Sequence, residues 1–262
     1  MGFDITYHPI REQEIQEWYF DAVQDISLIE KLAVDYHINA FYKDKYEDIL
    51  LMAQEIKPAE FFGSCHGRYI SVIQGFFRTY FYTRDSAFSF LIDRYPEFEK
   101  YTKDWADMIP HPIKNPVKNK ITENYSSGVF IPADQVTRLL SGYYTDEVLR
   151  KVLNDFYSNG RISIFIKALE FSTKNGMGML EATEVVEPNA FEFNNSLYYS
   201  DSSHCDQEGV FLYVEEAMKK AKKSEGLKNQ SDVKIIIPNR MSDACQKKKG
   251  FWNRLFGTGS FL

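Results

Sequence analysis

The stretch SCHGRYISVIQGFFRTYFY, Ser64 to Tyr82, is the most apolar part of this chain of 262 residues. Drawn as a helix, it carries apolar side chains on nearly all sides, and such a helix is expected inside a protein. We therefore predict a central buried helix over about residues 64–82, with Ser64 as its N-cap. The small residues that open the stretch would let this helix pack closely against its neighbours.

Outward from this stretch, apolar residues recur at helical spacing in most of the chain. The pattern predicts helices over residues 11–23, 26–36, 42–56, 132–140, 145–157, 161–174 and 209–223. For the helix 145–157, Thr145 is the expected N-cap and Val148 one of the inward-facing residues. Short strands are predicted over residues 3–7, 128–131, 179–186 and 234–238, with Pro9 ending the first. The expected fold class is α+β and predominantly helical, with a central apolar helix and a few short strands.

The predicted domain organisation is a single globular domain over residues 1–240 followed by a flexible basic-aromatic tail over 241–262. Residues 93–120 contain four of the nine prolines, so this loop-rich stretch is where a sub-boundary would fall. Residues 191–207 are rich in Asn, Ser and Tyr and are predicted to form a long loop.

Composition indicates a cytoplasmic protein. No window approaches the roughly 18 apolar residues that span a bilayer, and the first residues lack the basic and apolar regions of a signal peptide. The three cysteines, Cys65, Cys205 and Cys245, are odd in number and far apart, which argues against a disulfide scaffold. We expect no integral membrane association. The tail, which includes FWNRLF at 251–256, could make weak contact with a membrane surface.

Charge is unevenly distributed along the chain. Residues 1–217 carry 20 basic and 34 acidic side chains, whereas residues 218–262 carry 11 basic and three acidic ones. A body with a net charge of −14 repels nucleic acid and attracts a basic partner. We therefore expect a protein partner and no nucleic-acid binding.

Two groups of residues have the side chains of metal or catalytic sites but not the expected spacing. Cys65 and His66, together with His204, Cys205 and Asp206, offer zinc-ligand types, yet adjacent residues on a helix point about 100° apart. We predict no metal site, no cofactor and no catalytic residue. An alternative is a small-molecule enzyme whose site is assembled around Cys65, His66 and His204, with Cys65 as its nucleophile.

Acidic and tyrosine residues near the long loop are the candidate partner-binding site. Glu181, Glu184 and Glu187 are interpreted as an acidic rim rather than as the paired carboxylates of a glycosidase. The remaining candidates are Tyr198, Tyr199, Asp201 and Asp206. Phosphate-binding loops and nucleophile elbows are absent from the sequence.

Three runs carry a resemblance: residues 1–9, the run ITENYSSGVFIPADQV at 121–136, and GMLEATEVVEP at 178–188. Together they resemble a group of uncharacterised bacterial cytosolic proteins. The acidic, aromatic-rich composition is similar to that of immunity proteins, which neutralise toxins delivered between competing bacteria. The resemblance implies a cytosolic binding protein and supplies no catalytic residue.

Our hypothesis from the sequence is a non-enzymatic, cytosolic immunity protein that masks a basic antibacterial toxin. The alternatives are the enzyme described above and a regulatory or structural partner protein that uses the basic tail. Fold alone does not choose between them.

Overall fold

The computed structural model describes residues 2–55, 63–109 and 119–228. The strands are β1 (Asp4–Ile10), β2 (Tyr80–Arg84), β3 (Ser127–Ile131), β4 (Gly178–Thr183), β5 (Val186–Glu187), β6 (Leu197–Tyr198) and β7 (Cys205–Asp206). The α-helices are α1 (Glu12–Ile15), α2 (Ala22–Gln24), α3 (Leu28–Asp35), α4 (Ala40–Glu55), α5 (Ser64–Phe77), α6 (Phe88–Arg94), α7 (Ala133–Thr145), α8 (Glu147–Phe156), α9 (Arg161–Lys174) and α10 (Glu208–Lys228). A π-helix, Gln16–Asp21, joins α1 to α2, and short 3-10 helices span Pro96–Tyr101, Trp105–Asp107, Phe193–Asn195 and Ser202–His204.

Five strands form one mixed sheet in the order β3-β4-β1-β2-β7, and β5 pairs with β6 separately. β1 lies between two antiparallel neighbours, with Ile5 opposite Thr83 on one side and Thr183 on the other. β7 runs parallel to its neighbour, β2, whereas the other described pairs of this sheet are antiparallel. The α+β, predominantly helical fold class is confirmed.

Helices cover both faces of the sheet, so its main strands are buried on both sides. α5 packs on one face against β1, β3 and β4, and α9 packs on the other against β1, β2 and β4. Side chains that point to opposite faces of β1 therefore belong to two different hydrophobic cores. Tyr7 belongs to the core around α9, and Ile10 to the core around α5.

The central apolar helix is confirmed, although it ends at Phe77 rather than Tyr82. Every residue of α5 from His66 to Phe77 is buried. Arg78 is extended, and Tyr80 to Tyr82 continue as β2. Aromatic and β-branched residues fit a sheet as well as they fit a buried helix, so an apolar run cannot mark this change by itself.

Close packing of α5 depends on two of its glycines. A Cβ added at Gly67 would lie 2.0 Å from the hydroxyl of Ser127, and one at Gly75 would lie 2.3 Å from that of Ser200. The helix is therefore held directly against β3 and against the loop that follows β6. The N-cap is Gly63, not Ser64 as predicted, and Ser64 is the first helical residue.

Pro9 does not end the first strand. β1 continues to Ile10 alongside β4, but its pairing with β2 stops at Tyr7. Beyond Tyr7 the strand has a sheet neighbour on one side only, and proline is tolerated where a ladder hydrogen bond is not required. The side chain of Gln74 donates to the Pro9 carbonyl oxygen at 3.1 Å.

The expected start of the helix at 145–157 is wrong by two residues. The side chain of Asp146, not that of Thr145, caps α8 by accepting from the backbone N–H groups of Val148 and Leu149. Thr145 instead donates to the Ser141 carbonyl oxygen in α7. Val148, expected to face inward, is 74% exposed, because α8 turns Leu153 toward the core.

The stretch 191–207 is not simply a loop. It contains β6, β7 and two 3-10 helices, and Tyr199 and Ser200 within it are buried. Two further predictions, the strand at 234–238 and the flexible tail at 241–262, lie outside the described residues. The single domain over residues 1–240 and the sub-boundary within 93–120 stay predictions.

Candidate functional site

Glu181 is an internal helix cap rather than part of an acidic rim. It lies on β4, is 1% exposed, and accepts from the backbone N–H groups of Phe88 and Ser89 at the start of α6. Burial raises the pKa of its carboxyl to about 7 despite these hydrogen bonds. A Cβ at Gly128 would lie 2.0 Å from the Glu181 carboxyl, so no space remains there for a ligand.

Glu184 is also buried, in a pair with Asp4. The Glu184 N–H donates to the Asp4 carbonyl oxygen at 2.8 Å, and the two carboxyl groups lie close enough for each to affect the pKa of the other. Arg84 makes an ion pair with the Asp4 carboxylate, and the Tyr82 hydroxyl donates to it at 2.5 Å. Burial, followed by the negative charges of Asp4 and Glu187, raises the pKa of Glu184 to about 9. At neutral pH Glu184 is therefore the member of this pair that holds a proton.

Glu187 and Tyr199 meet in a neighbouring cluster around Arg68. The Glu187 carboxylate accepts from the hydroxyls of Tyr125 at 2.8 Å and Tyr199 at 2.9 Å. The Arg68 guanidinium lies between these two rings, 4.8 Å and 4.7 Å from their centroids. Arg68 also donates to the Glu184 carbonyl oxygen at 2.7 Å. The cluster links α5 to the turn between β4 and β5.

A cavity of about 390 Å³ opens beside these two clusters. Its lining includes Asp4, Arg84, Glu187, Phe191 and Tyr213. Asp4 is paired with Arg84, and Glu187 is bonded to two tyrosines, so each carboxylate already has a partner within the protein. Over the described ranges 2–55, 63–109 and 119–228, no three His, Cys, Asp or Glu side chains form a group that could hold a metal ion.

The other predicted partner-binding residues are only partly accessible. Tyr198 is half-buried and hydrogen-bonded to Gln207 at 3.2 Å. Asp206 pairs with Lys167 at 2.6 Å. Asp201 is half-buried and lies against Tyr42 near the start of α4, where burial and then the Asp201 charge raise the pKa of Tyr42 to about 12. The exposed acidic rim is therefore wrong for Glu181 and Glu184, whereas Asp201 lies beside a helical surface that the sequence interpretation did not single out.

Cys65, His66 and His204 do not converge. Cys65 and His66 are in the first turn of α5, whereas the His204 ring nitrogen lies 2.9 Å from the carbonyl oxygen of Gly75 near the other end. Ten residues of helix separate Cys65 from Gly75, which corresponds to about 15 Å. His66 is buried and hydrogen-bonded to the Tyr19 hydroxyl. The enzyme alternative therefore lacks its proposed site.

The helical layer over residues 12–55 is the surface that sequence reasoning missed. It contains 11 acidic and three basic residues. Four large apolar side chains are exposed in the same layer: Val34 (71%), Tyr36 (38%), Phe41 (50%) and Leu51 (45%). Counting charges in short segments could have found this layer. The single net charge given for residues 1–217 does not show that acidic residues are concentrated in residues 12–55.

Comparison with known proteins identifies no relative: no family model, no curated protein and no solved structure matches the chain. Within the part of the chain that the structure describes, no helix is both long and apolar enough to span a bilayer.

Proposed function

We propose that this chain is a non-enzymatic binding protein that masks a basic protein, most concretely an immunity protein that neutralises an antibacterial toxin. The proposal depends on one observation, the concentration of negative charge in the helical layer of residues 12–55. Large apolar side chains exposed among those charges add the desolvated contacts that a stable complex needs.

Electrostatics favours a basic partner for this layer. An acidic surface attracts a basic protein before contact, raises the rate of association, and disfavours acidic competitors. Rapid capture suits a protein that must intercept a toxin. Such a protein would act in the cytoplasm, and three widely spaced cysteines suit that reducing compartment.

Asp201 of the first candidate site contributes at the margin of the layer. It lies against Tyr42 near the start of α4, so it extends the acidic surface beyond residue 55. Asp206 does not contribute, because it pairs at 2.6 Å with Lys167 of α9. Glu181 and Glu184 support the fold from inside.

Co-expression tests the proposal. Basic toxin domains encoded beside this gene should be expressed in bacteria alone and together with this chain, and the growth of both cultures compared. We expect one such domain to arrest growth and this chain to restore it. A purified, catalytically inactive form of that domain should form a complex whose association rate falls about tenfold or more between low and high salt.

A matched pair of variants separates masking by this layer from a general effect of net charge. Glu47→Lys with Glu55→Lys changes the layer, whereas Glu147→Lys with Asp155→Lys makes the same charge change on α8. Rescue should be lost only with the first pair. If no basic neighbouring product is toxic and rescued, the immunity function is wrong.

A further inference from the structure

One face of α4 combines acidic residues with an exposed leucine. Asp44, Glu47, Leu51 and Glu55 follow one another at spacings of three or four residues, so they form a stripe along a single side of the helix. All four are exposed, while Tyr46, Ile49, Leu50 and Ala53 on the other side are buried. The stripe spans about 16 Å, or roughly three turns.

α3 lies beside α4 and widens this face. Lys43 of α4 pairs with Glu30 of α3 at 2.6 Å, which joins the outer sides of the two helices. Val34, one turn after Glu30, is 71% exposed. We call the exposed side of this helix pair, with Val34, Asp44, Glu47, Leu51 and Glu55, the α3–α4 face.

The charges that surround the α3–α4 face are mostly negative. Asp35 and Asp48 lie in the same two helices, and Lys45 of α4 is buried with its ammonium group 4.7 Å from the Phe41 ring centroid.

The end of α2 lies beside the end of α4. Gln54 donates to the Val23 carbonyl oxygen at 2.6 Å, which holds these two helix ends together. Asp25, the residue that follows α2, adds a further acidic group at this end of the helical layer.

Among the residues that the structure describes, the sheet offers no comparable docking site for an extended segment of a partner. One edge strand, β7, has only two residues. The other edge, β3, already has a bridge partner, because Lys103 donates its backbone N–H to Phe130 at 3.0 Å. A partner that adds a strand needs a free edge of several residues, whereas a helix needs only a side with apolar and charged groups at helical spacing.

We propose that the α3–α4 face binds a basic amphipathic helix of the partner protein, with Leu51 and Val34 in its apolar contact and Asp44, Glu47 and Glu55 opposite its Lys and Arg side chains. This inference rests on the proposed function and names the part of the partner that is recognised.

The test uses the full chain and synthetic peptides at 0.15 M salt. The probe is a helix-forming peptide of 18 residues with leucines at helical spacing and lysines on both flanks. A peptide of the same composition but scrambled order, without an apolar stripe, is its control. Fluorescence anisotropy should give micromolar binding of the probe and at least tenfold weaker binding of the scrambled peptide. Equal binding of the two peptides would overturn the inference.

Matched variants locate the contact. Leu51→Gln should weaken binding of the probe about fivefold, and Glu47→Lys with Glu55→Lys at least tenfold. Glu147→Lys with Asp155→Lys should leave binding within twofold, because charges much farther away than about 8 Å are screened at this salt concentration. Circular dichroism melts check that each variant folds. If the α8 pair weakens binding as much as the α4 pair, the attraction is not localised and the inference fails.

Two further outcomes are distinguished. Lys247→Gln with Lys248→Gln and Lys249→Gln removes charge from the end of the chain, and at least tenfold tighter binding of the probe by this variant would mean that the chain itself occupies the face. That result would overturn the inference. If the Leu51 and Glu47/Glu55 variants still neutralise a toxin that this chain masks, the inference fails, and masking must use a surface other than the α4 stripe. Absence of any rescue by the unchanged chain would instead contradict the proposed function itself.

Discussion

Two groups of carboxylates in this protein have opposite surroundings. Asp4, Glu181 and Glu184 lie against the sheet and are at most 8% exposed, whereas Glu47 and Glu55 project from α4 into solvent. The buried group is held by an arginine, a tyrosine and backbone N–H groups. The exposed pair contributes negative charge to the protein surface. The same residue type is therefore part of the folded interior in one region and exposed to solvent in the other.

The largest effect on the free energy of unfolding is expected when Arg84, the cation paired with the buried Asp4 carboxylate, is removed. Arg84→Ala leaves the Asp4 carboxylate buried without its ion pair, which should lower the free energy of unfolding by about 3 kcal/mol. Chemical denaturation measures it. Adding Asp4→Asn to the same chain should restore part of the loss, because the uncompensated charge is removed. Arg150→Ala, at the exposed pair with Glu147, should change stability by less than about 0.5 kcal/mol. Similar losses of stability in Arg84→Ala and Arg150→Ala would mean that burial of the carboxylate does not determine the effect of removing its arginine.

Glu181 should make stability depend on pH. Its folded pKa, about 7, is above its ordinary value of 4.5, so the folded state binds the proton more tightly. The contribution is complete below about pH 4.5 and is lost as the pH rises through about 7. Unfolding measured from pH 5 to pH 8 should show the wild type losing roughly 2–3 kcal/mol relative to Glu181→Gln. Parallel pH profiles of the two proteins would show that Glu181 does not titrate in this way.

Substitutions of Glu184 are expected to change the free energy of unfolding less than the loss of Arg84. Because its carboxyl is protonated and uncharged at neutral pH, an amide, which is also an uncharged donor of similar shape, can replace it. Glu184→Gln should change the free energy of unfolding by less than about 1 kcal/mol at pH 7, whereas Glu184→Ala removes the donor and should cost about 1–3 kcal/mol. Denaturant titrations of the two variants compare them directly. A severe loss with Gln would mean that the pair requires the carboxyl itself.

The exposed pair should give the smallest effect on stability. Glu47→Lys with Glu55→Lys should stay within about 0.5 kcal/mol of the wild type, as is usual for surface positions. Thermal melts test this, with Glu147→Lys and Asp155→Lys as the matched pair. A loss above about 2 kcal/mol confined to the α4 pair would show that these residues stabilise the fold and are not free for a partner.

Local patterns in the sequence predicted most helices because the spacing of apolar residues reflects which side of a helix faces the core. The helix predicted over residues 42–56 corresponds to α4, and its buried residues Tyr46, Ile49, Leu50 and Ala53 have that spacing. The end of α9 at Lys174 was predicted as well, and Gly176, two residues later, has the positive φ of 60° that favours glycine.

The candidate site was harder to predict because the spacing of acidic residues along the chain does not indicate which of them are buried. Glu181, Glu184 and Glu187 are three residues apart, yet one caps α6, one pairs with Asp4, and one accepts from two tyrosines. Most of these partners come from segments about 60 to 180 residues away in the chain, whereas Tyr199 is 12 residues from Glu187. Nothing in the local sequence distinguishes these acids from exposed ones.

The sequence by itself determined the fold class, the central apolar helix and the excess of acidic charge, since composition and spacing of apolar residues are properties of the chain. Only the tertiary structure decided where α5 gives way to β2, which carboxylates are buried, and that Cys65 and His204 lie near opposite ends of one helix. Those outcomes depend on long-range contacts that local sequence does not encode. Whether a given acid or cysteine is structural or accessible follows from the neighbours that folding supplies.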